Sequence, residues 1–287
     1  MAGQDAEPEE LTFVTEEPTD PLARTGIDTT VPHSARIWNY WLGGKDNYAV
    51  DRAAGDAWVA VYPQITVNAR EARAFLGRVV RFLAGEVGIR QFLDIGTGLP
   101  TANNTHEVAQ RVAPDARVVY VDNDPLVAAH ARALLVGTSQ GATKYLHADF
   151  RDVDGLIEGA REILDFTEPM AVLILGVLGH IADIDEGRAL VKQVLSHVPS
   201  GSYLAICDGT PTEVKLKAQQ DYLKTGGIPY NNREPEEIES FFDGLEWVEP
   251  GPVSIPLWRP DPPADGVRVI NASPTPCDEY GGVARKP

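Results

Sequence analysis

Cysteine is nearly missing. Cys207 and Cys277 are the only two in 287 residues, too few for a disulfide framework or a four-cysteine zinc site. Cys207 sits in an apolar run, which reads as a buried, inert thiol. His, Cys and Asp nowhere group at metal-ligand spacing, so no metal is expected. Long apolar runs are missing too, and nothing approaches the ~20 residues that a membrane-spanning helix needs. The first residues lack the basic and apolar regions of a secretory signal, so a cytoplasmic location is expected. Basic side chains are scarce: 25 Lys and Arg stand against 42 Asp and Glu, a formal net charge of −17. Such a surface repels phosphate backbones and anionic lipid, so neither nucleic acid nor a membrane is an expected partner.

What is present falls into three parts. Residues 1–30 carry eight carboxylates and one base, Arg24, with no helical or strand period, and read as a disordered acidic tail. Residues 31–66 are rich in aromatics (Trp38, Tyr40, Trp41, Tyr48, Trp58, Tyr62) and read as a helical cap or lid. Its first helix is capped by Ser34 and stopped at Gly43-Gly44. Residues 67–287 read as one domain. Asn68 is placed as the cap of a helix whose stripe is Ala72, Phe75, Leu76, Val79, Val80 and Leu83. Strands are expected over 90–95, 117–121, 143–147, 171–175 and 202–207, with helices between them, Asp124 capping one. Helices near 212–224 and 235–242 and late strands near 253–257 and 267–271 complete the reading. The alternation predicts a Rossmann-like, doubly wound, mostly parallel α/β sheet.

The strongest motif is FLDIGTGLP over 92–100, an apolar strand ending in Asp94 and turning through Gly96 and Gly98 into a helix. Glycine suits that turn because a Cβ would block a ligand from the backbone and penalise positive φ. YVDNDP then places Asp122 at the end of the second strand, where a carboxylate can accept from two ribose hydroxyls. HADFRD adds Asp149, suited to an adenine amino group. A nicotinamide dinucleotide would need a third small residue for its pyrophosphate, and Gly96-Thr97-Gly98-Leu99-Pro100-Thr101 has none. S-adenosylmethionine fits better, since Asp94 can order its amino acid end.

The segments DIGTGLPT, VVYVDNDP and HADFRD resemble motifs one to three of class I methyltransferases. HSARIWNYWLGGKDNYAVDR and the closing YGGVARKP resemble one particular family, S-adenosyl methyltransferases long classed as a domain of unknown function, from about residue 32 onward. The resemblance implies a seven-stranded sheet with an antiparallel last strand and S-adenosyl-L-methionine as cofactor. The candidate cofactor set is Asp94, Gly96, Thr97, Gly98, Asp122, Asn123, Asp149, Phe150 and Gly176. Asn103-Asn104 depart from the pattern, standing where a glycine is expected nearby.

The family brings no substrate with it, and a small-molecule methyl acceptor is the expectation. Methyl displacement needs alignment and desolvation more than a dedicated base. The catalytic candidates are His180, just beyond the fourth strand, and Tyr40 and Lys45 in the lid over 36–48. Asp208, after the fifth strand, points toward the pocket rim or merely opens a loop. The GGKDN stretch is no phosphate loop, lacking the glycine spacing and the Ser/Thr after lysine. Packing alone explains the lid's tryptophans equally well. The alternative function is a non-catalytic nucleoside-binding regulator, with a nicotinamide oxidoreductase third.

Overall fold

Strands β1(Gln91–Ile95), β2(Arg117–Asp122), β3(Ala142–His147), β4(Ala171–Leu175) and β5(Tyr203–Gly209) are all parallel neighbours. β8(Glu279–Arg285) runs antiparallel to β5, and the two-residue strands β6(Glu246–Trp247) and β7(Val253–Ser254) pair with its other side. The order is β3-β2-β1-β4-β5-β8-β6, with β7 beside β8, a mostly parallel Rossmann-like sheet whose strand order reverses between β1 and β4. The computed structural model describes residues 27–134, 137–262 and 274–287. The strand expected over 267–271 and residues 1–26 of the expected tail lie outside these.

Alternation along the buried strands feeds two cores. Leu93, Ile95, Val172 and Ile174 face α6(Val153–Ala160) and α7(Ile184–His197), whose Leu156, Ile157, Leu190 and Val194 complete that layer. Phe92, Val118, Ala171 and Leu173 face α3(Ile65–Phe82) and α4(Thr105–Val112) through Phe75, Val79, Val80 and Val108. The expected late strand near 253–257 is instead the short β7 followed by a 3-10 turn carrying Pro256. That turn seats Trp258, fully buried, edge-on against Phe75 and Phe82.

Three details of the cap differ from expectation. α3 starts at Ile65, so Asn68 lies inside it, fully buried, rather than capping it. His33, not Ser34, caps α1(Ser34–Trp41). A further helix, α2(Ala49–Val61), follows the glycine bend and packs on α8(Glu213–Leu223) through Trp58 and Tyr222. Residues 27–30, expected in the tail, hold contacts to the body: Ile27 is buried with Leu99, Leu126 and Val127, and the Arg36 guanidinium donates to the Asp28 and Val31 carbonyls.

Candidate functional site

β1 ends in a turn fastened to its neighbour, because Gly96 N and Thr97 N both donate to the Val121 carbonyl. Gly96 stands at φ 72°, and an added Cβ would come within 2.1 Å of Val177 Cγ2, so packing alone demands glycine there. Gly98 (φ 65°) and Gly176 (φ 71°) are different. A Cβ at either would meet no protein atom within 4 Å, and both line one cavity of about 300 Å³. Their bare backbone faces space a ligand can fill, which is the fit a nucleoside-bearing cofactor needs. Asn103 takes φ 60°, so an asparagine adopts the left-handed conformation where glycine was expected, and Asn104 forms a capping box with Glu107 to start α4.

The same cavity is lined by Asp94, Thr97, Asp122, Asn123, Asp149 and Phe150. The structure thus brings the whole candidate cofactor set together around the ends of β1 to β4. Asp122 is buried and does structural work as well: Oδ2 accepts from Gly98 N at 2.7 Å and Oδ1 from Asp124 N at 2.9 Å. Burial raises its carboxyl above the ordinary value, against the pull of those two N–H groups. Asp94 Oδ2 accepts from Thr105 Oγ1 at 2.6 Å, and burial pushes the Asp94 carboxyl up to about 6, opposed by Thr105 and Arg73. Asp149 stays exposed, turning back to accept from Arg151 N at 2.8 Å.

Arg73 belongs to none of the sequence motifs and lies off the apolar stripe of α3. It lines the cavity, donating to Asn104 Oδ1 at 2.8 Å. Its spacing from Ala69, Ala72 and Leu76, which line the cavity from the same helix, was the available signal.

α1 forms a wall. Ser34, Ala35, Trp38, Asn39 and Leu42 line the cavity, while Ile37 and Trp41 are buried against α2 and α8 partners. One face of the helix thus borders the cavity and the other packs within the cap. A close polar contact joins its start to the sheet, His33 Nδ1 to Asp124 Oδ2 at 2.9 Å. Burial pulls the Asp124 carboxyl upward, but His33, the Leu126 N–H and the Arg36 charge together hold it below its ordinary value. Arg36 and Asp51, both buried, pair at 3.2 Å and brace α1 on α2. The GGKDN bend has a local cause: Asn39 Oδ1 accepts from Asp46 N and Asn47 Nδ2, and a Cβ on Gly44 would lie 2.4 Å from Asn39 Nδ2.

Of the three catalytic candidates only His180 reaches the cavity. Lys45 is exposed outside it, and the Tyr40 hydroxyl donates to Asp56 Oδ1 at 2.7 Å on the surface. His180 Nδ1 lies 2.9 Å from the Pro229 carbonyl, which only accepts, so Nδ1 carries the proton and Nε2 the lone pair. Burial lowers the imidazole below its ordinary value, so it stays neutral, although the Pro229 contact pulls the other way. Asp208 does not line the cavity. It is fully buried, accepts from the Tyr230 hydroxyl at 2.5 Å and is pushed up to about 7 by burial, while the Tyr230 ring packs edge-on against His180. Cys207, a buried thiol as expected, lines the cavity beyond Gly176 together with Ile228 and Glu279. No group of metal-binding side chains occurs among the described residues, and none of their helices is long and apolar enough to cross a membrane.

No curated protein matches the chain significantly. Among solved structures, a DUF574-family protein of Streptomyces avermitilis is 43% identical, with 91% of this chain and 99% of that one covered and a TM-score of 0.83. A candidate methyltransferase of Thermobifida fusca is 42% identical over 91% of this chain and 97% of its own, with a TM-score of 0.80. The family model for S-adenosyl methyltransferases, whose cofactor is S-adenosylmethionine, matches residues 20–287, and the chain belongs to that family.

Proposed function

We propose that this protein transfers a methyl group to a small-molecule acceptor bound over the ends of β4, β5 and β8. The observation that carries the reading is the continuity of one cavity from the Gly98, Asp122 and Asp149 side past Gly176 to Cys207 and Glu279. A regulator that merely holds a nucleoside has no use for the second half. S-adenosylmethionine, when bound, supplies a sulfonium methyl open to nucleophilic displacement.

The chain's own residues do the rest. Asp122 would hold the ribose hydroxyls and Asp149 the adenine amino group, with Phe150 as an apolar surface beside it. Asp94 and Arg73, oppositely charged, would hold the ammonium and carboxylate of the amino acid end. α1 excludes water from the cavity, which strengthens every charge interaction inside it. His180 Nε2, unprotonated at neutral pH, would take the acceptor's proton.

Isothermal titration with S-adenosylmethionine tests the cofactor half, and one-to-one binding is expected. A folded chain that fails to bind it would falsify the reading.

A further inference from the structure

We infer that Glu279 is the acceptor-recognising group of this cavity and that it selects a small molecule carrying a basic nitrogen on an apolar body. The inference rests on the methyltransferase reading and deepens it. Sheet order supplies the direction. The candidate cofactor set occupies the ends of β3, β2, β1 and β4, so an acceptor is left with the β5 and β8 side, where Glu279 is the first residue of β8.

Glu279 is only 4% exposed, yet it lines the cavity. Its Oε1 accepts from Lys215 Nζ at 3.1 Å and from Asn68 Nδ2 at 3.4 Å. Among the described residues no donor reaches Oε2. Lys215, itself 3% exposed, gives a second hydrogen bond to the Asp278 carbonyl at 2.9 Å. Asn68 is fully buried, and its Nδ2 is shared between Glu279 and the Tyr62 hydroxyl. Its Oδ1 has no partner. Asn68 lies behind the cavity wall and does not line it, whereas Glu279 Oε2 stays open to the cavity and needs a donor from whatever fills it.

Glu279 Oε2 is therefore the acceptor that this end of the cavity offers to a ligand. An ammonium group brings three donors and a positive charge. A carboxylate or phosphate would bring only acceptors and leave Oε2 without a donor, since Lys215 already serves Oε1. Trp38, Leu42, Ala69 and Ile228, elsewhere on the cavity wall, suit a hydrocarbon body.

The test uses the wild-type chain saturated with S-adenosylhomocysteine, titrated separately with benzylamine, benzyl alcohol and benzoate. Benzylamine should bind tightest and benzoate not at all. Glu279→Gln should keep its affinity for S-adenosylhomocysteine within about threefold and lose about ten- to a hundredfold for benzylamine. Because that change strands the buried Lys215 ammonium, the paired variant Lys215→Met with Glu279→Gln provides a second chain in which both charges are gone, with the same loss expected. No preference for benzylamine over benzyl alcohol means that these atoms hold only structural water, and overturns the inference. So does unchanged benzylamine affinity in the variants, stronger benzoate binding, or no binding of any of the three. In those cases retained S-adenosylhomocysteine binding leaves the methyltransferase reading standing. Failure of the wild type to bind S-adenosylhomocysteine overturns the reading and the inference together.

Discussion

Asp94 shows how a single buried carboxylate trades stability for binding. Its folded value, about 6, lies above the ordinary 3.8, so the folded chain holds a proton there that the unfolded chain has released. Stability from this group is present below about pH 3.8 and is lost as pH rises through about 6. Asp94→Asn keeps an acceptor for Thr105 and removes the charge, so it should stabilise the cofactor-free protein at pH 7 by up to about 3 kcal/mol. The same change should weaken S-adenosylmethionine about tenfold, because the ammonium loses its counter-charge. Denaturant melts at pH 4 and pH 7 with matched titrations check both; a variant no more stable at pH 7 than the parent contradicts the argument. Asp122→Ala should cost about 2–4 kcal/mol of cofactor affinity. It should also lower the melting temperature, since the N–H groups of Gly98 and Asp124 lose their partner. Binding lost with an unaltered melt would mean those two hydrogen bonds contribute little.

At the scale of elements, α1 is better tested by a point change than by removal. Deleting it would expose Ala54, Trp58 and Tyr222, which are buried with Ile37 and Trp41, and loss of folding would mask any effect on the cavity. His33→Ala removes the contact with Asp124 and the long 3.4 Å cap on Ala35 N, and leaves the apolar face of α1 in place. It should speed cofactor release about fivefold, the equivalent of about 1 kcal/mol, with only the small fall in melting temperature that a weak cap explains. Stopped-flow displacement reads this directly, and equal off-rates would leave α1 a passive wall. Legibility differed sharply among elements. The strand ends carrying Asp94, Asp122 and Asp149 could be read because their signals are local: an apolar run, a glycine turn, a proline-started helix. β8 could not, because Gly281-Gly282 argues against a strand. The reason lies in its neighbours: a Cβ on Gly281 would sit 2.1 Å from the Ile206 carbonyl oxygen, and one on Gly282 would lie 3.2 Å from Pro252 Cα. Those contacts span the chain, so no window of sequence contains them. Glu279 and the buried Asn68 were illegible for the same cause, as they meet only once β8 lies beside β5 and α3 crosses above.

For the whole molecule, the strand order makes the rim of the sheet a row of acids. Four carboxylates (Asp94, Asp122, Asp149, Glu279) and two guanidiniums (Arg73, Arg151) line the cavity among the described residues, inside a chain of net charge −17. Such a rim distinguishes ligands by formal charge as well as by shape. S-adenosylmethionine enters with a net positive charge, and S-adenosylhomocysteine, after the methyl leaves, is neutral. The rim should therefore hold the cationic S-adenosylmethionine more firmly than the neutral S-adenosylhomocysteine. The preference for the methylated over the demethylated form should shrink as salt rises from 0.01 M to 0.5 M, because the screening length falls from about 30 Å to a few ångströms. It should shrink again as pH drops toward 6 and Asp94 takes up its proton. Parallel titrations of the two compounds across that range measure it, and a ratio indifferent to salt would mean that shape alone distinguishes them. In charge terms, the site is shaped to admit a cation and to let a neutral molecule go.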